Sequence, residues 1–350
     1  GLKIETYTTS SLEKQTSGTP TTLNFPDPEQ KLWHKIKGES MNQQIERNSA
    51  GIPVRPLGKT GVKVSIIGFG GGHFVHPTLD EQASVKLVHA AIDAGITFMD
   101  TAWEYHDGES ERRMGLALHD RRDKVTLMTK VCARDRKTAE AQLHESLRRL
   151  QTDTVDIWQF HEVNYDNDPD WIFQPDGAIE AAVAAQKAGK IRFIGFTGHK
   201  SPHILQKMLA HDFAWDACQF PVNVPDAHYR SFQTEFLPEV NRRDIGVIAM
   251  KSLGGAGQMI TSLGLTAQQC RRYTLSQAVS TLVCGIQSME NLEQDVAIAR
   301  AFTPMSSEEQ EALRNQVRHE STDGRHEWFK STQRFDSQYH RDQHGFPVPG

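Results

Sequence analysis

The chain has 350 residues, 37% of them hydrophobic and 24% charged, with a formal net charge of -5. That is ample for one large α/β domain of about 250 residues with extensions. The charge balance leaves no electrostatic footprint for nucleic acid, and no apolar run reaches the roughly 18 residues a membrane helix needs.

In chain order, Gly1–Ser40 comes first, rich in Thr, Ser, Pro, Lys and Glu and without a sustained hydrophobic period. Such a segment buries too little surface to offset its ordering entropy and lacks the apolar centre of a signal peptide. Residues 1–50 are therefore expected to be a flexible extension, Met41 the natural start, and the protein cytoplasmic; a mature exported chain is the lesser alternative. A chain beginning at Met41 is expected to melt within a few degrees of the full one and to keep its activity. A large drop in either would show that the segment packs on the rest.

From Val54 two apolar arms flank Gly58 and Gly61, a hairpin signal. Strands are then predicted at Ile66–Gly70, Ile96–Asp100, Val125–Lys130, Asp156–His161, Ile191–Thr197, Trp215–Phe220, Ile245–Lys251 and Thr281–Gly285. Helical patterns separate them, at about 80–94, 109–120, 138–150, 176–189, 201–211, 231–243, 266–277 and 289–302. Eight such units predict an α/β fold, a (β/α)8 TIM barrel over residues 51–305, with an N-terminal β-hairpin and a C-terminal extension. The aromatic-rich stretch 306–350 is expected to be a helix and tail packed on the barrel. Gly68-Phe-Gly70-Gly-Gly72 lacks the spacing of a dinucleotide loop and reads as a tight rim turn, with His73, Phe74 and His76 at the barrel mouth. The loop Glu162–Gln174, beside His161, is expected to shape a substrate pocket.

Asp100, Lys130 and His161 each close a predicted strand, and Tyr105 follows Asp100 by five residues. Buried strands normally exclude charge, so three such endings point to chemistry on one rim of the barrel. Singly, each has a blander reading: a helix cap, a half-buried aromatic, a snorkelling lysine, a core histidine. Four compatible residues on adjacent strand ends tell against those readings. The four cysteines lie far apart without CxxC spacing and read as reduced thiols. The pairs His73/His76 and His199/His203 lack supporting carboxylates or thiolates, so no metal is expected.

Several linked motifs carry a resemblance to a known family. They are Met99-Asp-Thr-Ala-Trp-Glu-Tyr105-His-Asp-Gly108-Glu-Ser-Glu111, Thr129-Lys130, Gln159-Phe-His161, Ile194-Gly-Phe-Thr197, Cys218-Gln219, Ile248-Ala-Met250-Lys-Ser-Leu-Gly-Gly255 and Thr274-Leu-Ser-Gln277. In type and order they resemble the aldo-keto reductases from about Val54 to Phe302. The resemblance implies NAD(P)H-dependent reduction of a small carbonyl substrate, with Asp100, Tyr105, Lys130 and His161 as catalytic residues. Physically, a tyrosine is a poor acid–base group near neutral pH unless a cation lowers its pKa. Lys130 can supply that cation, Asp100 can fix Lys130, and His161 can donate to the substrate oxygen.

On the cofactor side, Thr197 keeps the hydroxyl of the family's Ser-Asn pair, Gly198 loses the amide, and His199 can replace it. Gln219 matches the family's glutamine, and Met250 stands where an aromatic stacks on nicotinamide. Lys251 and Gln294 complete the expected set. Gln287 and Ser288 occupy the slots where relatives often present a cation to a 2′-phosphate, and neighbouring Glu290 adds a negative charge. NADP is the expected cofactor, with NAD the alternative. The resemblance also leaves open a cofactor-sensing regulatory protein, as in potassium-channel beta subunits, and a redox-neutral sugar-modifying enzyme with retained cofactor.

Overall fold

Eight parallel strands close into a barrel in the computed structural model, which describes residues 45–75, 79–331 and 342–344. They are β3 (Ile67–Gly70), β4 (Phe98–Asp100), β5 (Thr126–Val131), β6 (Val155–Phe160), β7 (Ile191–Thr197), β8 (Ala217–Pro221), β9 (Gly246–Met250) and β10 (Thr281–Gly285). Each strand pairs with its sequence neighbours, and β10 closes on β3 through Leu282↔Ile67. The expected strands are these eight, displaced by at most two residues at an end. Nearly every strand residue is buried, because side chains alternate between the barrel interior and the layer beneath the helices.

A hairpin precedes the barrel, β1 (Val54–Pro56) with β2 (Lys63–Ser65), antiparallel and in register Val54↔Ser65. Its Leu57 and Val64 cluster with Phe98, Met128, Ile157, Ala217 and Ile248 from the strands. Gly58, at φ 48°, lies hard against the backbone of Asp244 and Gly246, where a side chain would not fit. The hairpin thus fills the end of the barrel where the strands begin and leaves the opposite rim to the site. Residues 45–50 are also tied to the barrel: Asn48 Nδ2 donates to Gly95 O at 2.8 Å and Arg47 Nη1 to Arg300 O at 2.8 Å.

Helix starts follow local capping chemistry. Asp80 accepts from Ala83 N at 2.7 Å, Asp135 from Thr138 N at 2.9 Å, and Thr266 forms a reciprocal box with Gln269. The single helix expected over 231–243 is instead two short ones, Phe232–Glu235 and Leu237–Arg242. Pro238 lacks an N–H, so the first helix cannot continue through it, and a second begins there.

Beyond the barrel, the helix Ser307–Ser321 lays Leu313 and Val317 on Val224, Met259, Leu265 and Tyr273. A second helical turn, Trp328–Ser331, is held by buried Lys330, whose Nζ reaches Asp226 Oδ1 at 2.5 Å and Glu327 Oε1 at 3.0 Å. His76, Phe335, Tyr339, His340 and Phe346 lie outside the described residues. Among the described residues no helix is long and apolar enough to cross a membrane.

Candidate active site

Adjacent strands β4 and β5 bring Asp100 and Lys130 together at the rim. Lys130 Nζ donates to Asp100 Oδ1 at 2.5 Å, to Thr101 O at 2.8 Å and to Tyr105 Oη at 3.2 Å, which uses all three ammonium hydrogens. Gln219 Nε2 holds the other Asp100 oxygen at 3.1 Å. Tyr105 reaches this point through a cramped turn: His106 and Asp107 adopt φ of 54° and 55°, and Gly108 follows at 86°. His106 Nε2 lies 3.0 Å from Gly72 O, which ties that turn to the glycine-rich one. The latter is the tight rim turn expected: Gly71 N donates to Asp100 O at 2.6 Å, and Gly72 lies under the Tyr105 ring.

One electrostatic expectation is overturned. Burial, with the charges of Asp100, Glu104 and Glu162, pushes the Tyr105 phenol well above its ordinary value. These outweigh the Lys130 ammonium, which is already paired with Asp100. Tyr105 therefore stands protonated, its oxygen 3.2 Å from Lys130 Nζ.

His161 lies one residue beyond the end of β6 and crosses the Tyr105 ring edge to face at 5.6 Å. Its Nδ1 stands 2.7 Å from Glu104 Oε1, and the Cys132 thiol donates to Glu104 Oε2 at 3.0 Å. Burial resists ionisation of Glu104, but His161, Cys132 and Lys130 overcome it and hold the carboxyl down at about 2. Glu162 lies in the same electrostatic neighbourhood, and burial together with Glu104 pushes it up to about 8. Glu104 is thus ionised at neutral pH, whereas burial holds Glu162 back from ionising. Burial lowers the His161 pKa against the pull of Glu104. Glu104, Cys132 and His161 bring their ligand-type atoms within 4.8 Å of one another, a grouping the histidine pairs in the sequence did not reveal. Within it the Cys132 thiol makes a hydrogen bond to Glu104, whereas His161 Nδ1, 2.7 Å from Glu104 Oε1, has no hydrogen-bond partner among the described residues.

A groove with a cavity volume of about 440 Å³ runs from Asp100 and Tyr105 along the rim to the helix Met289–Arg300. Of the residues expected at the cofactor, His199, Gln219, Met250, Lys251, Gln287 and Gln294 line it. Thr197 and Ser288 do not. Thr197 is buried at the end of β7, and the Ser288 hydroxyl caps its helix by accepting from Asn291 N at 3.2 Å. Glu290, on the first turn of that helix, is exposed rather than aimed into the groove. Sequence reasoning missed Arg271 and Asp295, which also form the wall. Arg271 grips both Asp295 oxygens, at 2.9 and 3.0 Å, and donates to Ser252 Oγ at 2.6 Å. No local signal pairs residues 24 apart on different helices.

The loop after β6 contains a short helix, Asp168–Phe173, and a buried ion pair. Asp168 takes Arg134 Nε at 2.6 Å and the backbone N–H groups of Asn164 and Tyr165, each at 2.9 Å. Arg134 Nη2 also donates to His161 O at 2.6 Å, so the pair connects this loop to His161. The C-terminal segment adds Trp328 and Phe329, whose rings lie 5.5 and 5.9 Å from Lys251 Nζ.

The barrel thus holds an ionic Asp–Lys–Tyr constellation at one end of a long groove. The Aldo/keto reductase family model matches residues 66–263, and the chain belongs to that family. It is 35% identical over 155 residues to the aldo-keto reductase YhdN of Bacillus subtilis, a match spanning 40% of this chain and 45% of that relative. Its fold is similar to that of the aldo-keto reductase AKR11C1 from Bacillus halodurans (holo form), with a TM-score of 0.65 and 22% identity over 76% of this chain and 96% of the other. An aldo/keto reductase from Klebsiella pneumoniae, solved in complex with NADP and acetate, gives 0.60 and 24% over 73% and 93%.

Proposed function

We infer that residues 51–305 catalyse the NAD(P)H-dependent reduction of an aldehyde or ketone to an alcohol. The observation that carries this reading is the Lys130 ammonium bridging Asp100 and the Tyr105 hydroxyl at one end of the groove. Tyr105 gives its proton to the carbonyl oxygen, and Lys130 stabilises the phenolate left behind. When bound, the reduced nicotinamide supplies the hydride. The groove suits that group: Gln219 lines it, holds Asp100 through Nε2, and keeps its Oε1 buried without a partner among the described residues. A carboxamide N–H offers the donor that oxygen lacks. Met250 packs on the same wall. Turnover of p-nitrobenzaldehyde with oxidation of either reduced cofactor tests the reading, and absence of oxidation with both would overturn it.

NADP is the cofactor this reading favours, as in the Klebsiella enzyme's complex, with NAD a close competitor. The guanidinium on the far wall, Arg271, is already matched by Asp295, and Gln287 brings no charge. Charged hydrogen bonds contribute roughly 1.5–3 kcal/mol each, so a missing pair removes a ten-fold or larger preference. NADH and NADPH are expected to bind within about ten-fold of each other, and Gln287→Arg to favour NADPH. Titration of cofactor fluorescence checks this; a preference of about a hundred-fold in the unmodified protein would refute it.

A further inference from the structure

Glu104, Cys132 and His161 follow the ends of β4, β5 and β6, and they bring a carboxylate, a thiol and an imidazole to one place. Their ligand-type atoms lie within 4.8 Å of one another, the one such grouping of three among the described residues. His161 Nδ1 is buried and stands 2.7 Å from Glu104 Oε1, yet it has no hydrogen-bond partner among the described residues. A neutral ring that donates through Nε2, the role expected of His161, keeps a lone pair on Nδ1. That lone pair and a carboxylate oxygen repel at such a distance unless something positive lies between them. The Cys132 thiol, 3.0 Å from the other Glu104 oxygen, adds a third group that binds a soft cation.

We propose that Glu104 Oε1, Cys132 Sγ and His161 Nδ1 form a site for one zinc ion, whose binding displaces the His161 ring and inhibits turnover. Binding stands apart from the reductase reading; the inhibition rests on it. Zinc takes thiolate, imidazole and carboxylate ligands at about 2.0–2.3 Å, so ligands in a tetrahedron stand about 3.3–3.6 Å apart. Glu104 and His161 therefore part by roughly 0.6 Å, and the widest gap closes by up to about 1 Å. On binding, the Cys132 S–H bond breaks, an S–Zn bond forms, and the proton that the thiol gave to Glu104 passes to solvent. Nothing is oxidised or reduced. One carboxylate and one thiolate match the two charges of the ion, so the buried centre is left neutral. Glu104, whose side chain is 13% exposed against 2% for His161, is where the ion enters and where a water completes the tetrahedron. Magnesium and calcium demand six or more oxygen ligands, which these three groups do not offer. The His161 ring crosses that of Tyr105 edge to face at 5.6 Å, so a shift of Nδ1 carries Nε2 with it. A misplacement of about 1 Å can cost about 10²-fold, so saturating zinc is expected to slow turnover by about ten-fold or more.

Metal titration of the full chain, freed of chelators and small thiols, tests the site without any turnover. The native protein is expected to take up a single zinc ion, and Cys132→Ser and Glu104→Gln each to weaken that binding by about ten-fold or more. Magnesium is expected not to compete. Cobalt(II) reports the ligand set: the native protein should show a near-ultraviolet thiolate-to-cobalt band with the strong visible bands of a four-coordinate ion, and Cys132→Ser should lose the former. Zinc affinity unchanged in both variants, or bound cobalt without the thiolate band, overturns the site. Zinc is then added to turnover of p-nitrobenzaldehyde. Inhibition is expected in the native enzyme and is expected to be lost in Cys132→Ser, whose rate without zinc persists. Equal inhibition in that variant, or full activity of the zinc-loaded native protein, overturns the inhibition. No turnover without zinc, with either cofactor, overturns the reductase reading instead, and the cobalt spectrum still decides the site.

Discussion

Tyr105→Phe is expected to lower kcat by about 10²–10⁴-fold while fold and cofactor affinity persist. The change removes one oxygen and almost no volume. In the proposed reaction the phenol is the proton source, and burial among Asp100, Glu104 and Glu162 keeps it protonated. The residue that binds its oxygen, Lys130, retains Asp100 and Thr101 O as partners, so the remaining pocket stays ordered. Lys130→Met should also reduce turnover, by removing the cation that stabilises the departing proton's phenolate. It differs in leaving Asp100 buried and unpaired, which costs stability as well. Steady-state rates and thermal melts separate the two cases. Near-normal kcat in Tyr105→Phe would remove Tyr105 from the mechanism.

Asp168→Ala is expected to cost about 3–5 kcal/mol of stability, the largest effect of any single change considered. Arg134 and Asp168 are both wholly buried, and the substitution strands the guanidinium without its counter-charge. It also releases the Asn164 and Tyr165 N–H groups, which Asp168 accepts at 2.9 Å. Activity should fall too, because Arg134 donates to the carbonyl of His161. Replacing both partners, as in Arg134→Met with Asp168→Leu, should recover much of the loss, since an apolar pair leaves no uncompensated charge. Denaturant melts of the three variants check this. A double variant as unstable as Asp168→Ala would mean that the backbone N–H contacts, not the stranded charge, dominate.

Much of the barrel was legible because its strands are short apolar runs bounded by Gly, Asp or Lys, a pattern set by chain-local burial. The helix starts near 80 and 266 were legible for the same reason: Asp80 and Thr266, which cap them, act within three residues of themselves. The split of 231–243 is the local exception: Pro238 stands within an otherwise helical stretch, where its missing N–H ends the first helix and opens the second. Asp100, Tyr105, Lys130 and His161 could be singled out because each falls at or just past a strand end.

Electrostatic state was not legible in this way. Lys130 beside Tyr105 suggested a lowered phenol; only the packing, which matches the lysine to Asp100 and crowds acids around the ring, sets the opposite direction. Ser288 was legible as a hydroxyl near the groove, but whether it faces outward or caps its own helix depends on the geometry of that helix start. Glu104 sits inside the very motif that carries the family resemblance, yet its contact with His161 joins residues from different βα units. The same holds for Arg271 with Asp295 and for Lys330 with Asp226, which are 104 residues apart. The eightfold βα repeat and the candidate reactive groups are written in the chain itself, because periodicity and strand ends are properties of neighbouring residues. The tertiary structure alone decided which charges meet, and so which groups hold protons, because a buried charge takes its state from partners that the chain brings in from a distance.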